Sequence, residues 1–112
     1  MPRRLTWLDV FTAEPLLGNQ LAVVHDADGL SEDAMGRFAA ETNLSETTFV
    51  QVPEAAGADY RNRIWMPHRE LPFAGHPSLG TAVAVALARG EAEATYVQQT
   101  QPGLQAIDVR LD

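Results

Sequence analysis

The sequence contains no cysteine, and this absence excludes several kinds of chemistry together. The chain can form no disulfide bond, offers no thiolate to a metal ion and has no cysteine nucleophile. Its 112 residues suit one small domain, which we expect to span residues 1–112. Any catalysis must therefore depend on other side chains.

Lysine is also absent, so all eight basic residues are arginine, and 15 acidic residues bring the net charge to −7. The sequence shows no basic patch, which argues against nucleic acid and anionic membrane surfaces as partners. No apolar run reaches the roughly 18 residues of a membrane-spanning helix. The N-terminal stretch MPRRLTWLDVF lacks the continuous apolar segment of a signal peptide, so we expect a cytoplasmic protein.

Hydrophobic periodicity predicts six strands and two helices. Ser31 is a suitable N-cap for the first helix, and Glu32 and Asp33 suit the positive end of its dipole. Asn43 is expected to end this helix and Gly90 the second one. The second helix is predicted over residues 76–89, and the strands over residues 5–11, 21–25, 46–52, 59–66, 94–100 and 104–111, of which the last two form a hairpin.

The segment TAVAVALA, residues 81–88 of the second helix, is apolar on every side. Such a helix is expected to be buried all round, because it has no polar face to turn toward water. Its small side chains let other backbones come close. The predicted fold is therefore α+β, with a curved, barrel-like mixed β-sheet wrapped around a central apolar helix.

The start of this helix, Gly75-His76-Pro77-Ser78, is a candidate anion site. The first amides of a helix have no partner within it, and the helix dipole favours negative charge there. Gly75 lets a ligand approach the backbone closely, and Pro77 sacrifices no intrahelical hydrogen bond so early in a helix. An ordinary helix start with a surface histidine fits the same residues, and these residues alone leave both interpretations open.

Glu46 is a second candidate, because it stands where the first helix gives way to an apolar strand. Partial burial there would suit a carboxylate to general acid–base catalysis. A solvated loop glutamate is the alternative interpretation. His25 and His68 have no second ligand at metal-binding spacing, so we expect structural roles for both and no metal site.

Four motifs, taken in order, give a more specific indication: GNQLAVV, DADGLS, NLSETTFV and ELPFAGHPSLGTA. Together they resemble the phenazine-biosynthesis PhzF-like family of the diaminopimelate-epimerase-like superfamily. NLSET followed by FAGHP is a much more specific pairing than either motif alone. The resemblance extends from Asp9 to the final strand.

This resemblance implies a fold of two similar domains, each a curved sheet around a central helix, with the substrate in the cleft between them. It implies that Glu46 moves a proton on the substrate and that His76 assists in proton handling or substrate positioning. The backbone around Gly75, Pro77 and Ser78 is implied to hold polar groups of the substrate.

Members of the family have two domains, and this chain resembles the N-terminal one, so we expect the second domain to be absent. The resemblance also implies that Asn19 binds substrate. We therefore predict an isomerase that moves a proton or double bond on a small carboxylate-containing substrate without cofactor or metal, once a second domain or dimerisation completes it. The alternative is a non-catalytic half-domain that dimerises or binds small anions. A homodimer is expected because a missing domain would leave Leu71 and Phe73 facing water.

Overall fold

The computed structural model of the protein describes residues 4–10 and 19–111. Two helices, α1 (Glu32–Thr42) and α2 (Gly75–Arg89), stand among seven strands. The strands are β1 (Leu5–Val10), β2 (Asn19–Val24), β3 (Glu46–Gln51), β4 (Tyr60–Met66), β5 (Arg69–Leu71), β6 (Glu93–Thr100) and β7 (Gly103–Arg110). All eight predicted elements are present. The proline and the Gly-Asn pair of TAEPLLGNQ, residues 12–20, also predict a loop, and this segment falls mostly outside the described residues.

The seven strands form one mixed sheet in the order β1-β2-β3-β4-β6-β7. The pairs β2–β3 and β4–β6 are parallel, and the other pairs are antiparallel. The predicted hairpin of the last two strands is confirmed, with Thr100 opposite Gly103 at its turn. The predicted α+β class with a mixed sheet is therefore confirmed.

The short strand β5 is a departure from the prediction. It pairs with the end of β4, with Ile64 opposite Leu71, while the start of β4 pairs with β6. Three residues are too few to show a recognisable alternation of polar and apolar side chains. The pairing is reinforced by Arg63, whose Nε and Nη2 donate to the two carboxylate oxygens of Glu70 at 2.8 and 2.6 Å.

Helix α2 lies at the centre of the fold, as its composition predicts. It contacts six of the seven strands, including β1 and β7 at the two ends of the sheet, so the sheet must curve around it. Ala82, Ala84 and Ala86 are fully buried. Burial is not complete along the whole helix, because Leu87 in the last turn is 54% exposed.

The expectation of a barrel-like sheet needs correction. Among the described strands, β1 and β7 end the sheet and do not pair with each other, so it stays open. A closed barrel needs hydrogen bonds between its first and last strands. The central helix covers the apolar inner face of the sheet, so this face is buried although the sheet does not close.

Helix α1 packs on the other face of the sheet, where Met35 and Ala39 meet Phe49 and Trp65. Its predicted caps are confirmed: Ser31 Oγ accepts a hydrogen bond from the Ala34 amide at 3.0 Å, and Asn43 adopts a left-handed conformation. In the described part of the chain, neither helix is long and apolar enough to cross a membrane.

Candidate functional site

The structure brings together the two residues predicted to be catalytic, although they are 30 positions apart in the sequence. Nδ1 of His76 lies 2.9 Å from Oε1 of Glu46, which is hydrogen-bond distance. The side chains of His76 and Glu46 are only 14% and 20% exposed. The pair is therefore shielded from bulk water while part of its surface stays accessible.

This meeting follows from where the two elements begin. Glu46 is the first residue of β3, level with Leu21 on the parallel strand β2, and His76 is the second residue of α2. Thr81 Oγ1, one turn further along α2, lies 2.8 Å from Thr48 Oγ1 of β3 in the buried core. The buried part of α2 therefore packs against β3, and its first turn lies beside the start of that strand.

The start of α2 differs from an ordinary capped helix start. Its N-cap is Ala74, which has no side chain able to accept a hydrogen bond, and its first turn contains no acidic residue. Pro77 has no amide hydrogen, and the Ser78 amide donates to the Ala74 carbonyl at 3.2 Å. Of the four residues predicted to offer free backbone amides, only Gly75 and His76 can do so. Their N–H groups precede the first intrahelical hydrogen bond and are directed beyond the helix end.

Gly75 faces open space. A Cβ atom placed on it would meet no described heavy atom within 4 Å. Room beside the first amide of a helix is what a bound anion requires, and a side chain there would reduce it. Gly75 is therefore the most accessible backbone position of the candidate site.

A buried polar network lies behind this helix start, and the sequence interpretation missed it. Gln98 of β6 accepts from Asn62 Nδ2 at 3.1 Å and donates through Nε2 to Ser78 Oγ at 2.8 Å and Gln105 Oε1 at 3.2 Å. Ser78 Oγ in turn donates to the Ala74 carbonyl at 2.6 Å. The available signal was strand alternation, which places Gln98 on the same inward face as the buried Tyr96.

Comparison with known proteins agrees with this geometry. The family model of phenazine biosynthesis-like proteins matches residues 8–112. The chain belongs to this PhzF-like family. Over 82 residues it is 55% identical to trans-2,3-dihydro-3-hydroxyanthranilate isomerase from Pseudomonas aeruginosa, a match that covers 73% of this chain and 29% of the relative.

Solved structures show the same family fold. A predicted epimerase from Pseudomonas aeruginosa superposes with a TM-score of 0.87 at 38% identity, over 97% of this PhzF-like chain and 39% of that one. A PhzF-family protein from Enterococcus faecalis gives 0.86 at 34% identity, over 98% and 41%. The chain thus spans well under half the length of these relatives, which is consistent with a half-domain of the PhzF-like architecture.

The remaining substrate-binding predictions stay predictions. Asn19 begins β2 two residues before Leu21, the register partner of Glu46, but its side chain lies outside the described residues. Pro77 and Ser78 are buried in the start of α2, and the hydrogen bonds of the Ser78 hydroxyl are made within the chain. Their contact with a substrate stays a prediction.

The other two histidines lie apart from this pair. His25 follows β2 at the end remote from Glu46; it is buried, and its Nε2 is 2.7 Å from Thr6 Oγ1. Burial, followed by the positive charge of Arg4, lowers the pKa of His25 below its ordinary value. His68 is exposed in the β4–β5 turn with φ of 62°. Both placements agree with structural roles.

Proposed function

We propose that the natural protein containing this chain is a PhzF-like isomerase that moves a proton and a double bond on a small carboxylic acid. Glu46 acts as the general acid–base, and His76 orients it. The observation that carries the proposal is the hydrogen bond between His76 Nδ1 and Glu46 Oε1 at the start of α2. Similarity to an isomerase over most of the chain supports it.

The reaction balances without an oxidant or a second reactant. Glu46 as a carboxylate takes a proton from a substrate carbon, and the electron pair of that C–H bond forms the new double bond. The electrons of the old double bond move to a more distant carbon, which Glu46 or solvent then protonates. Because His76 holds Oε1, the other carboxylate oxygen is the one available to the substrate.

The start of α2 supplies the binding half of the mechanism. A substrate carboxylate placed next to Gly75 would accept hydrogen bonds from the first helix amides and would meet the positive end of the dipole. The absence of acidic residues from the first turn supports this role, because the chain as a whole carries a net charge of −7. The same amides would stabilise negative charge that develops when Glu46 removes the proton.

The substrate and the assembly are part of the proposal. The Pseudomonas aeruginosa relative is named for trans-2,3-dihydro-3-hydroxyanthranilate, a small carboxylate, and we take this compound as the first substrate to test. The site is completed by a second domain or by a second copy of the chain. The cytoplasmic location predicted from the sequence is retained.

Exposed apolar residues next to the site favour a second candidate, a dimerising half-domain without catalysis. Phe73, two residues before α2, is 45% exposed, and Leu71 is half-buried. Contiguous apolar surface of this kind is often covered by a partner. Sedimentation of the purified chain tests whether two copies associate, because a monomer at micromolar concentration would exclude a stable homodimer.

The catalytic proposal is tested by Glu46→Gln in the natural protein, with Glu41→Gln as the matched control on the exposed face of α1. Glutamine keeps the size of the side chain and its hydrogen bonding to His76, but it cannot carry the proton. We expect turnover of the test substrate to fall by about 10²–10⁴-fold in Glu46→Gln. Equal turnover in the two variants would refute the role of Glu46.

A further inference from the structure

Gln98 of β6 stands out because a long polar side chain is fully buried, at 0% exposure. Its three hydrogen bonds have complementary polarity: the carbonyl oxygen accepts from Asn62, and the amide nitrogen donates to Ser78 and Gln105. An apolar residue would fill the same space without needing three partners. Such a satisfied network fixes one arrangement of the groups that it joins.

The network reaches the site through Ser78. Its hydroxyl oxygen accepts from Gln98 Nε2 at 2.8 Å, so its single hydrogen is left for the Ala74 carbonyl, at 2.6 Å. The Ser78 amide donates to the same carbonyl at 3.2 Å. Two donors therefore hold the carbonyl of the N-cap residue of α2.

Holding this carbonyl also sets the direction of the Gly75 amide. The peptide bond is planar and trans, so the Ala74 C=O and the Gly75 N–H point in opposite directions. Since Ser78 holds the carbonyl pointing along the helix, the Gly75 N–H is directed the opposite way, beyond the start of the helix. The Cβ position of the same residue is open, so no side chain covers this end. Ala74 provides no side-chain cap that could do the same.

We infer that Gln98 is a positioning residue, which acts through Ser78 to aim the Gly75 amide at the substrate. The inference rests on the proposed function, in which that amide binds a substrate carboxylate. Gln98 touches no reacting atom in this scheme. Its contribution is to direct one hydrogen bond from inside the sheet.

The helix contains its own control for this inference. Thr81 repeats the arrangement one turn later, because its Oγ1 lies 2.6 Å from the Pro77 carbonyl and 2.8 Å from Thr48 Oγ1. The N–H of the Pro77–Ser78 peptide bonds within the helix and does not face the site. Loss of the Thr81 hydroxyl therefore removes a similar buried bond without changing the aim of the Gly75 amide.

The experiment compares Gln98→Met, Ser78→Ala, Ser78→Thr and Thr81→Val in the natural protein. The first readout is the ¹H–¹⁵N resonance of the Gly75 amide, which requires no ligand and no activity. We expect it to move in Gln98→Met and Ser78→Ala, and to stay in place in Ser78→Thr and Thr81→Val. An unmoved signal in whichever of the first two variants folds, or an equal movement in Thr81→Val, would overturn the inference.

The second readout is the kinetics with trans-2,3-dihydro-3-hydroxyanthranilate. We expect KM to rise by about tenfold in Gln98→Met and Ser78→Ala with a smaller change in kcat, because a hydrogen bond to a charged group is misdirected while Glu46 is untouched. A wild-type protein that is inactive on this compound counts against the choice of substrate in the proposed function. In that case the amide resonance alone decides whether Gln98 positions Gly75.

Discussion

The two helices of this domain begin in opposite ways. The start of α1 is satisfied within the chain: Ser31 accepts a hydrogen bond from the Ala34 amide, and Glu32 and Asp33 occupy the first turn. The start of α2 has alanine at the N-cap, no acidic residue in the first turn and glycine as its first residue. The start of α1 is capped by its own residues, whereas the start of α2 has no side-chain cap, and the carboxylate beside it, that of Glu46, comes from β3.

The difference shows where each helix obtains its stability. Helix α1 lies on the outside of the sheet and depends partly on its caps, each of which typically contributes about 1 kcal/mol. Helix α2 packs inside the curve of the sheet, where Ala82, Ala84 and Ala86 are fully buried, so packing can stabilise it without a cap. The amides in the first turn of a buried helix can therefore stay uncapped without loss of the helix, which leaves them able to bind a ligand.

The glycines of the two helices show the same contrast. A Cβ atom on Gly36 of α1 would stand 3.1 Å from Trp65 Cζ3, so this glycine serves packing. A Cβ atom on Gly75 of α2 would meet no described atom within 4 Å. Packing within the described chain therefore does not require glycine at position 75.

Among changes that remove the difference between the two helix starts, we expect Gly75→Val to have the largest effect on activity. The isopropyl group would occupy the room that the substrate carboxylate needs, so we expect kcat/KM to fall by about 100-fold. Thermal stability should be nearly unchanged, because the side chain enters open space. A kcat/KM within threefold of wild type, in a folded variant, would contradict an anion site at Gly75.

A second variant makes the start of α2 resemble that of α1. Ala74→Asp installs a carboxylate cap next to the first amides of α2. We expect the free energy of unfolding to rise by about 0.5–1 kcal/mol. The new carboxylate competes with the substrate, so KM should rise by about tenfold. Denaturant titration and steady-state kinetics measure the two effects, and a more stable variant with unchanged KM would argue against competition at this end.

The reverse change concerns α1. Ser31→Ala removes the hydrogen bond from the Ala34 amide and should lower the free energy of unfolding by about 1 kcal/mol without changing kcat/KM. Ser31→Asn should restore most of the stability, because asparagine is an equally good N-cap. Loss of activity in Ser31→Ala at a temperature where it is fully folded would show that the two helix starts are not independent.

The smallest expected effect concerns pH and His25, near the C-terminal end of α2. Its pKa is lowered by burial and by Arg4, with Asp26 acting in the opposite sense, so as pH falls through 6.5 this histidine takes up a proton more readily in the unfolded chain than in the folded one. Stability should therefore decrease as pH falls below 6.5. Urea titrations at pH 7.5 and 5.5 should show a smaller decrease in His25→Asn than in wild type or His68→Asn. Equal decreases in all three proteins would remove His25 as the cause.

Much of this fold could be predicted from local sequence. Ser31, Asn43 and Gly90 act through their immediate neighbours, and the apolar composition of α2 identifies it as the central helix. The three-residue strand β5 could not be predicted, because it is too short to show an alternation of polar and apolar residues; its pairing with β4 is visible only in the structure. The open sheet could not be predicted either, because it depends on whether β1 and β7, which are far apart in the sequence, pair with each other.

The candidate site depends more on tertiary structure. Local patterns identify Glu46 and His76 only as separate residues, each with an ordinary interpretation, and the resemblance in motif order is what links them. Their contact arises from the register of β3 and the packing of α2. The three partners of Gln98 come from three different elements, β4, α2 and β7, so no local pattern could predict that network.

The most direct test is to observe which helix start the substrate contacts. Glu46→Gln in the natural protein should bind trans-2,3-dihydro-3-hydroxyanthranilate without converting it, so the complex persists during an NMR titration. We predict that the Gly75 and His76 amide resonances shift with added substrate, while the Ala34 amide at the capped start of α1 does not. Saturable binding that leaves Gly75 and His76 unmoved, or that moves Ala34 equally, would contradict the assignment of the ligand site to the start of α2.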